Sequence, residues 1–477
     1  MNTKLEISPS YWIIALGLFI AAILLRTYGI SEWHLIGDEY FSHYNAHERY
    51  TSTINPAYYA LVVFTQTIFG DAEWTSRIPA FIFSVISVPL LYLVWSRVIG
   101  RNAAIFAAVI TLFSAWHLWF SQFARFYMGV FLFAIVAYYY FYSALINNNP
   151  KHLVYALIFS VLGILFHATF VLIPASCAVA YLFAILIRSK QDIAYSTRIP
   201  KIYLGLCFLM AIPLAYFFLM KLINIWLTLD QTWGYGPLLI IPQIVKYVQI
   251  PIVAAAFFGW LALLSRNLLL AGYLAIMILT PYLCLMLLSN WMSVRPDYIF
   301  YTLAPILVLA GIACEEVRRR FSDARMASMV LIVTIIICLL PEFVSHFSAK
   351  KSLNLKESIA FIEDNYQKDD QIMSFIQGFD EDTKSRYDLL PFISSERDSR
   401  VNWDKELKHL LETEKRTWIV VTSKRQKLSY KLENWLLCHS SLVKRTNAKR
   451  MDYEVDGHQV FLVHGRQAST NIIKGCT

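Results

Sequence analysis

The sequence predicts an α-helical polytopic membrane protein with a small α/β domain at its C-terminal end, and three observations lead there. Of 477 residues 57% are hydrophobic and only 16% charged, more apolar than a water-soluble globular chain normally is, so lipid is the expected solvent. The apolar residues gather into runs of membrane-spanning length. Charge is unevenly placed as well: 34 Asp, Glu, Lys and Arg fall in residues 1 to 345, but 41 in the 132 residues from His346 onward. That shift divides the chain into a transmembrane domain, residues 1–345, and a soluble C-terminal domain, residues 346–477.

A membrane-spanning helix needs about 20 mostly apolar residues, because the helical rise is about 1.5 Å and the hydrocarbon core about 30 Å thick. On that rule eleven spans are expected, at approximately 11 to 29, 78 to 97, 102 to 120, 126 to 146, 152 to 167, 168 to 187, 202 to 220, 251 to 265, 267 to 289, 299 to 316 and 326 to 345. The fifth and eighth are the shortest, and a bent or partly embedded helix suits either. The first is preceded only by Lys4 and has no small-residue cleavage site before the acidic loop that follows, so it is expected to stay as an anchor.

With the N-terminus inside, alternate loops collect Arg97 and Arg101, Lys151, Arg188, Lys190, Arg198 and Lys201, Arg266, then Arg318, Arg319, Arg320 and Arg325. Including Lys4, 13 basic residues fall inside against 7 outside (Arg26, Arg49, Arg77, Arg125, Lys221, Lys246, Arg295), the bias expected of cytoplasmic loops. The expected localisation is therefore the plasma (inner) membrane, with the N-terminus cytoplasmic. An odd number of spans puts the C-terminal domain outside, together with the first loop, residues 31–76, and a loop near Lys221 to Ile250. In the tail, "KESIAFIEDNY" has helical spacing, while "RTWIVVTS" and "HQVFLVHG" read as short buried strands.

Composition and motif content also exclude some functions. The net charge of +9 is not laid out as a basic stripe with interleaved aromatics, so no nucleic-acid partner is expected. The seven cysteines show no CxxC or Cys/His ligand spacing. Cys177, Cys207, Cys284, Cys314 and Cys338 lie in or beside apolar runs as packing residues, while Cys438 and Cys476 could pair in an oxidising compartment. There is no GxxxxGK[ST] and no GxGxxG after a strand.

The residues that could carry chemistry lie in the outer loops. Asp38 and Glu39 follow the first span in "EWHLIGDEYFSHYNAHERY". Adjacent carboxylates repel each other and lose solvation at a membrane surface, which suits a general base, although a solvated acidic turn is the plainer reading of chemistry alone. "FSQFARFYM" places Arg125 and Tyr127 at an outer helix junction, and "SNWMSVRPDYIFY" repeats the pattern with Arg295, Tyr298 and Tyr301. A guanidinium there either snorkels as an anchor or binds an anion whose geometry it matches, such as phosphate. His167, in "GILFHATF", sits at an outer turn where imidazole could donate to phosphate or sugar; a lone histidine is more often structural. Trp226, Trp233 and Tyr235 suit interfacial anchoring or sugar stacking.

In order and spacing these segments resemble the GT-C membrane glycosyltransferases, specifically the protein mannosyltransferase-like group that includes the lipid A aminoarabinose transferases. The resemblance covers residues 1 to 315 and rests on the first-loop Asp38-Glu39, "NPAYYALVVFTQTIFG", "TSRIPAFIFSVISVPLLYLVWSRVIG", "SQFARFYM", "GILFHATF", and an Arg followed by Tyr before "LAPILVLAGI". It implies a GT-C fold and transfer of a sugar from a polyprenyl-phosphate donor to an acceptor hydroxyl (lipid, glycan or protein) on the outer face of the membrane. Asp38 would take the acceptor proton with Glu39 assisting, and Arg125, Tyr127, Arg295 and Tyr298, with His167 ranked behind them, would hold the donor phosphate. Asn55-Pro56 stands where the family pattern has His-Pro-Pro, so that histidine's role does not carry over, and His43 and His47 are the nearby substitutes. No cofactor is predicted; a divalent metal is chemically possible near the carboxylates but two adjacent acids do not indicate one. The rival readings are a transporter or lipid-linked sugar flippase, which should show paired repeats and midplane charges that this sequence lacks, and a sensor in which Asp38 and Arg125 would tolerate alanine.

Overall fold

The computed structural model describes residues 9–33, 35, 38–44, 46, 55–191, 198–207, 236–290, 294–320, 324–352, 355–368, 370–374, 388–389, 415–422, 435–436, 438, 440–450 and 453–463. His47, Lys221, Trp226, Trp233, Tyr235, Cys476 and most of the expected span at 202–220 lie outside them. The chain divides into two compact units, one of residues 1–30 and 42–343 and the other of residues 31–41 and 344–477. The boundary expected at 345/346 falls inside one continuous helix, Ala324–Ser352, and residues 31–41 group with the second unit rather than with the spans on either side of them.

The first unit is helical. In chain order it contains α1 (Pro9–Thr27), α2 (Glu39–His43, begun in the second unit), α3 (Pro56–Phe69), α4 (Ile78–Ile99), α5 (Arg101–Phe113), α6 (Ala115–Ser121), α7 (Tyr127–Asn147), α8 (Pro150–Phe166) and α9 (Leu172–Gln191). After the undescribed stretch come α10 (Pro237–Val248), α11 (Ile250–Leu264), α12 (Leu268–Leu288), α13 (Leu303–Arg320) and most of α14 (Ala324–Ser352). Local chemistry sets several boundaries. Pro56, Pro150 and Pro237 occupy the first turn, where a missing N–H costs nothing. Gly100, at φ +86°, closes α4 and opens α5 by itself, a backbone state that a side chain would strain.

Among the described residues seven helical segments are long and apolar enough to span a bilayer, and nine if each of two bent pairs is one span. One pair, α5 and α6, bends by 63° at Ser114 and accounts for the expected span at 102 to 120; the other, α10 and α11, bends by 96° at Gln249. α8, expected as the fifth span, has only 17 residues. Nine of the eleven expected spans have a counterpart among these segments and pairs, the fifth is the short α8, and the one at 202 to 220 lies mostly outside the described residues.

Burial sorts these helices. α7 and α13 are enclosed on nearly all sides, and α13 is approached closely because its neighbours meet at glycines. A Cβ on Gly259 would stand 1.9 Å from the Leu309 carbonyl oxygen, and one on Gly311 would stand 2.2 Å from that of Ala103; packing of this kind drives helix association where lipid offers no hydrophobic gradient. α1 and α14 instead turn Trp12, Ile13, Leu16 and Leu24, and Met326, Met329, Val330 and Ile337, outward. A row of exposed apolar side chains on each is what a lipid-facing surface requires.

The second unit holds α15 (Leu355–Asn365) and strands β1 (Gln371–Ser374), β2 (Asp388–Leu389), β3 (Thr417–Thr422), β4 (Ser441–Arg450) and β5 (Tyr453–Val463). The sheet order is β2-β1-β3-β5-β4, parallel from β2 to β3 and antiparallel through β5 and β4. Ile362 of α15 packs on Ile372, Trp418, Val420, Val460 and Leu462, so the expected helix and both expected strands build one small α/β core. Asp370 holds it together at the edge of β1. Arg416 grips its carboxylate with Nε at 2.9 Å and Nη2 at 2.6 Å, Trp418 Nε1 donates at 2.8 Å and the Gln367 amide at 3.0 Å. Burial alone would raise the Asp370 pKa, but the Arg416 fork and these two donors outweigh it and hold the carboxyl below the ordinary carboxylate range. Cys438 is disulfide-bonded, whereas Cys177, Cys207, Cys284, Cys314 and Cys338 are free.

Candidate active site

The carboxylate pair lies where α2 begins. Asp38 is half-buried in the turn before the helix and Glu39, fully buried, is its first residue, an end at which the helix dipole favours negative charge. Both belong to the segment 31–41 that groups with the C-terminal unit. The structure therefore does not bring them into one compact unit with the other five candidate residues.

α2 ends on His43, which is buried and tied into the first unit. Its Nδ1 lies 2.9 Å from Ser76 Oγ and 3.1 Å from Gln66 Nε2, its carbonyl accepts from Gln66 Nε2 at 3.0 Å, and its Nε2 is 3.5 Å from Asp71. Gln66 lies on α3, the helix that Asn55-Pro56 opens. Two turns of α3 upstream, Tyr58 donates to the Ser76 carbonyl at 3.3 Å and Tyr59 presents its hydroxyl to Arg125.

Arg125 sits in the junction between α6 and α7, and the sequence fixes that junction from both sides. Gln122 Nε2 donates to the carbonyls of Arg26 at 2.9 Å and Tyr28 at 2.7 Å, satisfying acceptors that the end of α1 leaves open. Below it, Arg26 is fully buried. Its Nη2 donates to the carbonyls of Thr111 (3.2 Å) and Leu112 (3.3 Å), which the bend at Ser114 exposes, and to His117 Nδ1 at 3.1 Å. An arginine has no acceptor, so His117 must carry its proton on Nε2, and that nitrogen faces Ser87 Oγ at 2.9 Å. Arg26 and Arg77, two of the seven basic residues expected outside, are both fully buried, and Arg77 donates to the Ile30 carbonyl at 3.1 Å.

Around Arg125 the structure gathers all five expected phosphate ligands. The Arg125 Nη1 donates to Tyr59 Oη at 3.1 Å and the guanidinium lies 5.2 Å from the Phe126 ring centroid. Phe126 stacks on His167 with centroids 4.0 Å apart and planes 16° apart, and His167 in turn faces Tyr298 at 5.7 Å. Arg295 is bridged to the buried Asp297 at 2.5 Å, and Tyr127 lies within electrostatic reach of Asp297, Arg295, Arg125 and Tyr298. His167 occupies the break between α8 and the 3₁₀ turn Ala168–Val171, where burial, and after it the Arg125 charge, takes its pKa down to about 3. It is therefore neutral at any physiological pH.

The arrangement offers two cations, one of them bridged to Asp297, three phenols and a neutral imidazole, lined by aromatic faces. Such a set suits a phosphate ester with an attached polar group. Tyr59, Phe126, Thr169 and Asp297 were not singled out from the sequence. Asp297 follows Arg295 by two residues and Thr169 follows His167 by two, so local spacing carried a usable signal for both; Tyr59 is joined to Arg125 only by the fold. Among the described residues no group of three or more His, Cys, Asp or Glu is placed to hold a metal ion.

Residues 55–217 match the family model described as dolichyl-phosphate-mannose-protein mannosyltransferase, a stretch that includes Tyr59, Arg125, Tyr127 and His167. No curated protein sequence matches the chain significantly. Two solved structures of ArnT from Cupriavidus metallidurans resemble it over nearly their whole length. The one bound to undecaprenyl phosphate is 13% identical, covers 97% of this chain and 99% of its own, and has a TM-score of 0.59. The apo state is 13% identical, covers 95% and 98%, and has a TM-score of 0.56. At that identity the likeness concerns the fold. The chain is a multi-pass membrane protein with the GT-C glycosyltransferase fold and a small C-terminal α/β domain, as the resemblance in its sequence implied.

Proposed function

We propose that the protein transfers a sugar from a polyprenyl-phosphate donor to an acceptor hydroxyl on the outer face of the membrane, with inversion at the anomeric carbon. The observation that carries this reading is the Arg125 cluster: a cation held by Tyr59 and Phe126 beside Tyr127, His167, Tyr298 and the Arg295–Asp297 pair.

The acceptor oxygen attacks the anomeric carbon as its proton passes to Asp38, with Glu39 assisting. The bond from that carbon to the phosphate oxygen breaks, and polyprenyl phosphate leaves with the bonding pair. Negative charge grows on the phosphate during this displacement, and a fixed guanidinium with phenolic donors stabilises it more in the transition state than in the ground state. A lipid-linked donor keeps its tail in the bilayer and its head at the interface, which is where a junction between apolar helices lies. The outer orientation is supported by the 13-to-7 distribution of basic residues and by the bonded Cys438, since disulfides persist in oxidising compartments.

The test is transfer of labelled sugar from polyprenyl-phosphate donors in membranes holding the full chain. Asp38→Asn is expected to abolish transfer, and full activity in that variant would remove Asp38 as the base. Equal transfer from a nucleotide sugar with no lipid present would overturn the donor class, and lipid translocation with no covalent product would return the chain to the flippases.

A further inference from the structure

His167 sits among phosphate candidates, but its hydrogen bonds give it a different task. Thr169 Oγ1 lies 2.8 Å from the Tyr298 carbonyl oxygen, which can only accept, so the single hydroxyl proton of Thr169 is committed there. The same Oγ1 lies 2.6 Å from His167 Nδ1. With the hydroxyl proton spent, that contact requires the proton to sit on Nδ1 and the hydroxyl oxygen to accept it. The Thr169 amide also approaches Nδ1, but at 3.4 Å, the margin of hydrogen-bond geometry, and the shorter contact decides the tautomer. The Tyr301 hydroxyl donates to the Thr169 carbonyl at 3.2 Å and fixes the turn from its other side.

The consequence is a neutral imidazole whose Nε2 carries a lone pair. Among the described residues no protein group donates to that nitrogen, and the ring cannot turn away because Phe126 stacks on it. Resting on the reading above, we propose that His167 is a specificity residue, with Nε2 accepting a hydrogen bond from a substrate hydroxyl, on the transferred sugar or on the acceptor, rather than binding the phosphate. A lone pair repels a phosphate oxygen and attracts a hydroxyl. Its acceptor role separates His167 from Arg125 although the two are neighbours, and a site built to bond a hydroxyl discriminates strongly against molecules that lack it.

The tautomer is tested first, on the full chain labelled with 15N-histidine in lipid bilayers, with the His167 signals identified by their loss in His167→Asn. A protonated Nδ1 and a bare Nε2 are expected; an Nε2–H signal in the wild type overturns the proposal. Thr169→Val is expected to shift the proton off Nδ1 and lower kcat/KM about tenfold, with Thr169→Ser restoring both. The second measurement competes bare undecaprenyl phosphate against the polyprenyl-phosphate sugars extracted from membranes of the native host. His167→Ala is expected to leave affinity for the bare lipid intact and to remove about tenfold of the preference for the sugar-bearing ones. Unchanged preference with a tenfold loss in kcat/KM for the acceptor assigns the hydroxyl to the acceptor instead. Equal weakening of both lipids makes His167 a phosphate ligand and overturns the inference alone. Failure of the wild type to bind either lipid overturns the proposed function, and the inference with it.

Discussion

Two arginines lie near one end of the helical unit and live in different surroundings. Arg26 is fully buried, and its Nη2 donates to two backbone carbonyls and a histidine. Arg125 is half-buried, resting on one phenol and one aromatic face in a junction that includes Phe126 and Tyr127. The first closes, through Nη2 alone, the carbonyls that a 63° bend leaves open, while its Nε and Nη1 are buried with no hydrogen-bond partner among the described residues. The second is joined through Phe126 to His167 and lies within electrostatic reach of Tyr127. What separates the two is the chemistry around them: backbone carbonyls at Arg26, phenolic and aromatic side chains at Arg125.

The sharpest way to break that contrast is Arg125→Ala. Transfer activity is expected to fall by about 10² to 10³, the cost of removing one preorganised donor at a developing anion, with the thermal midpoint of the detergent-solubilised protein unchanged. Arg125→Lys should recover little, because a point charge does not reproduce a fork. Arg26→Met should do the reverse, costing about 2 kcal/mol of stability through the lost carbonyl and histidine bonds and showing as a lower midpoint and less folded protein in membranes. If instead Arg26→Met leaves stability untouched and Arg125→Ala unfolds the chain, the two roles are exchanged.

Arg416 offers a third environment, a cation fully committed to a carboxylate in the soluble unit. Asp370→Asn is expected to cost about 2 kcal/mol, read as faster hydrogen exchange along β3 in the full chain. Because the folded Asp370 carboxyl is held below its ordinary value, its contribution is complete above the unfolded pKa of about 3.9 and is lost as pH falls through the lower folded value. Exchange along β3 that is insensitive to acid over that range would refute it. The smallest effect is expected from Tyr59→Phe, which removes one hydroxyl from Arg125; a rise of about fivefold in the donor KM, with kcat nearly kept, corresponds to about 1 kcal/mol of positioning.

Much of this was legible in the sequence, for identifiable reasons. Hydrophobic runs reveal helices because lipid selects them residue by residue, and Ile362, Trp418 and Phe461 sit in the helix and strands that local periodicity placed there. The five residues around Arg125 were found separately, since each lies beside a span and carries an interfacial residue type. Their convergence was not legible, because it depends on how α7, α8 and the turn before α13 pack. Nor were the two bends. Ser114 caps the helix after the first bend by accepting from the His117 amide, and Pro251 opens the helix after the second, where Gln249 takes a positive φ, but neither letter gives the angle. The burial of Arg26 and Arg77 was not legible either, because a charge tally has no means of seeing a side chain folded back into the protein.

The brevity of α8 has a consequence for the lipid around it. Seventeen residues make a helix about 25 Å long, against a hydrocarbon core of about 30 Å, and the chain breaks at His167 just where the helix runs out. Such hydrophobic mismatch is relieved by thinning of the adjacent leaflet, and activity reconstituted in bilayers of graded acyl length is expected to fall as the core thickens. The membrane itself would then be dimpled beside His167, so that a headgroup reaches the cluster by sinking with its leaflet and the lipid tail never has to leave the oil.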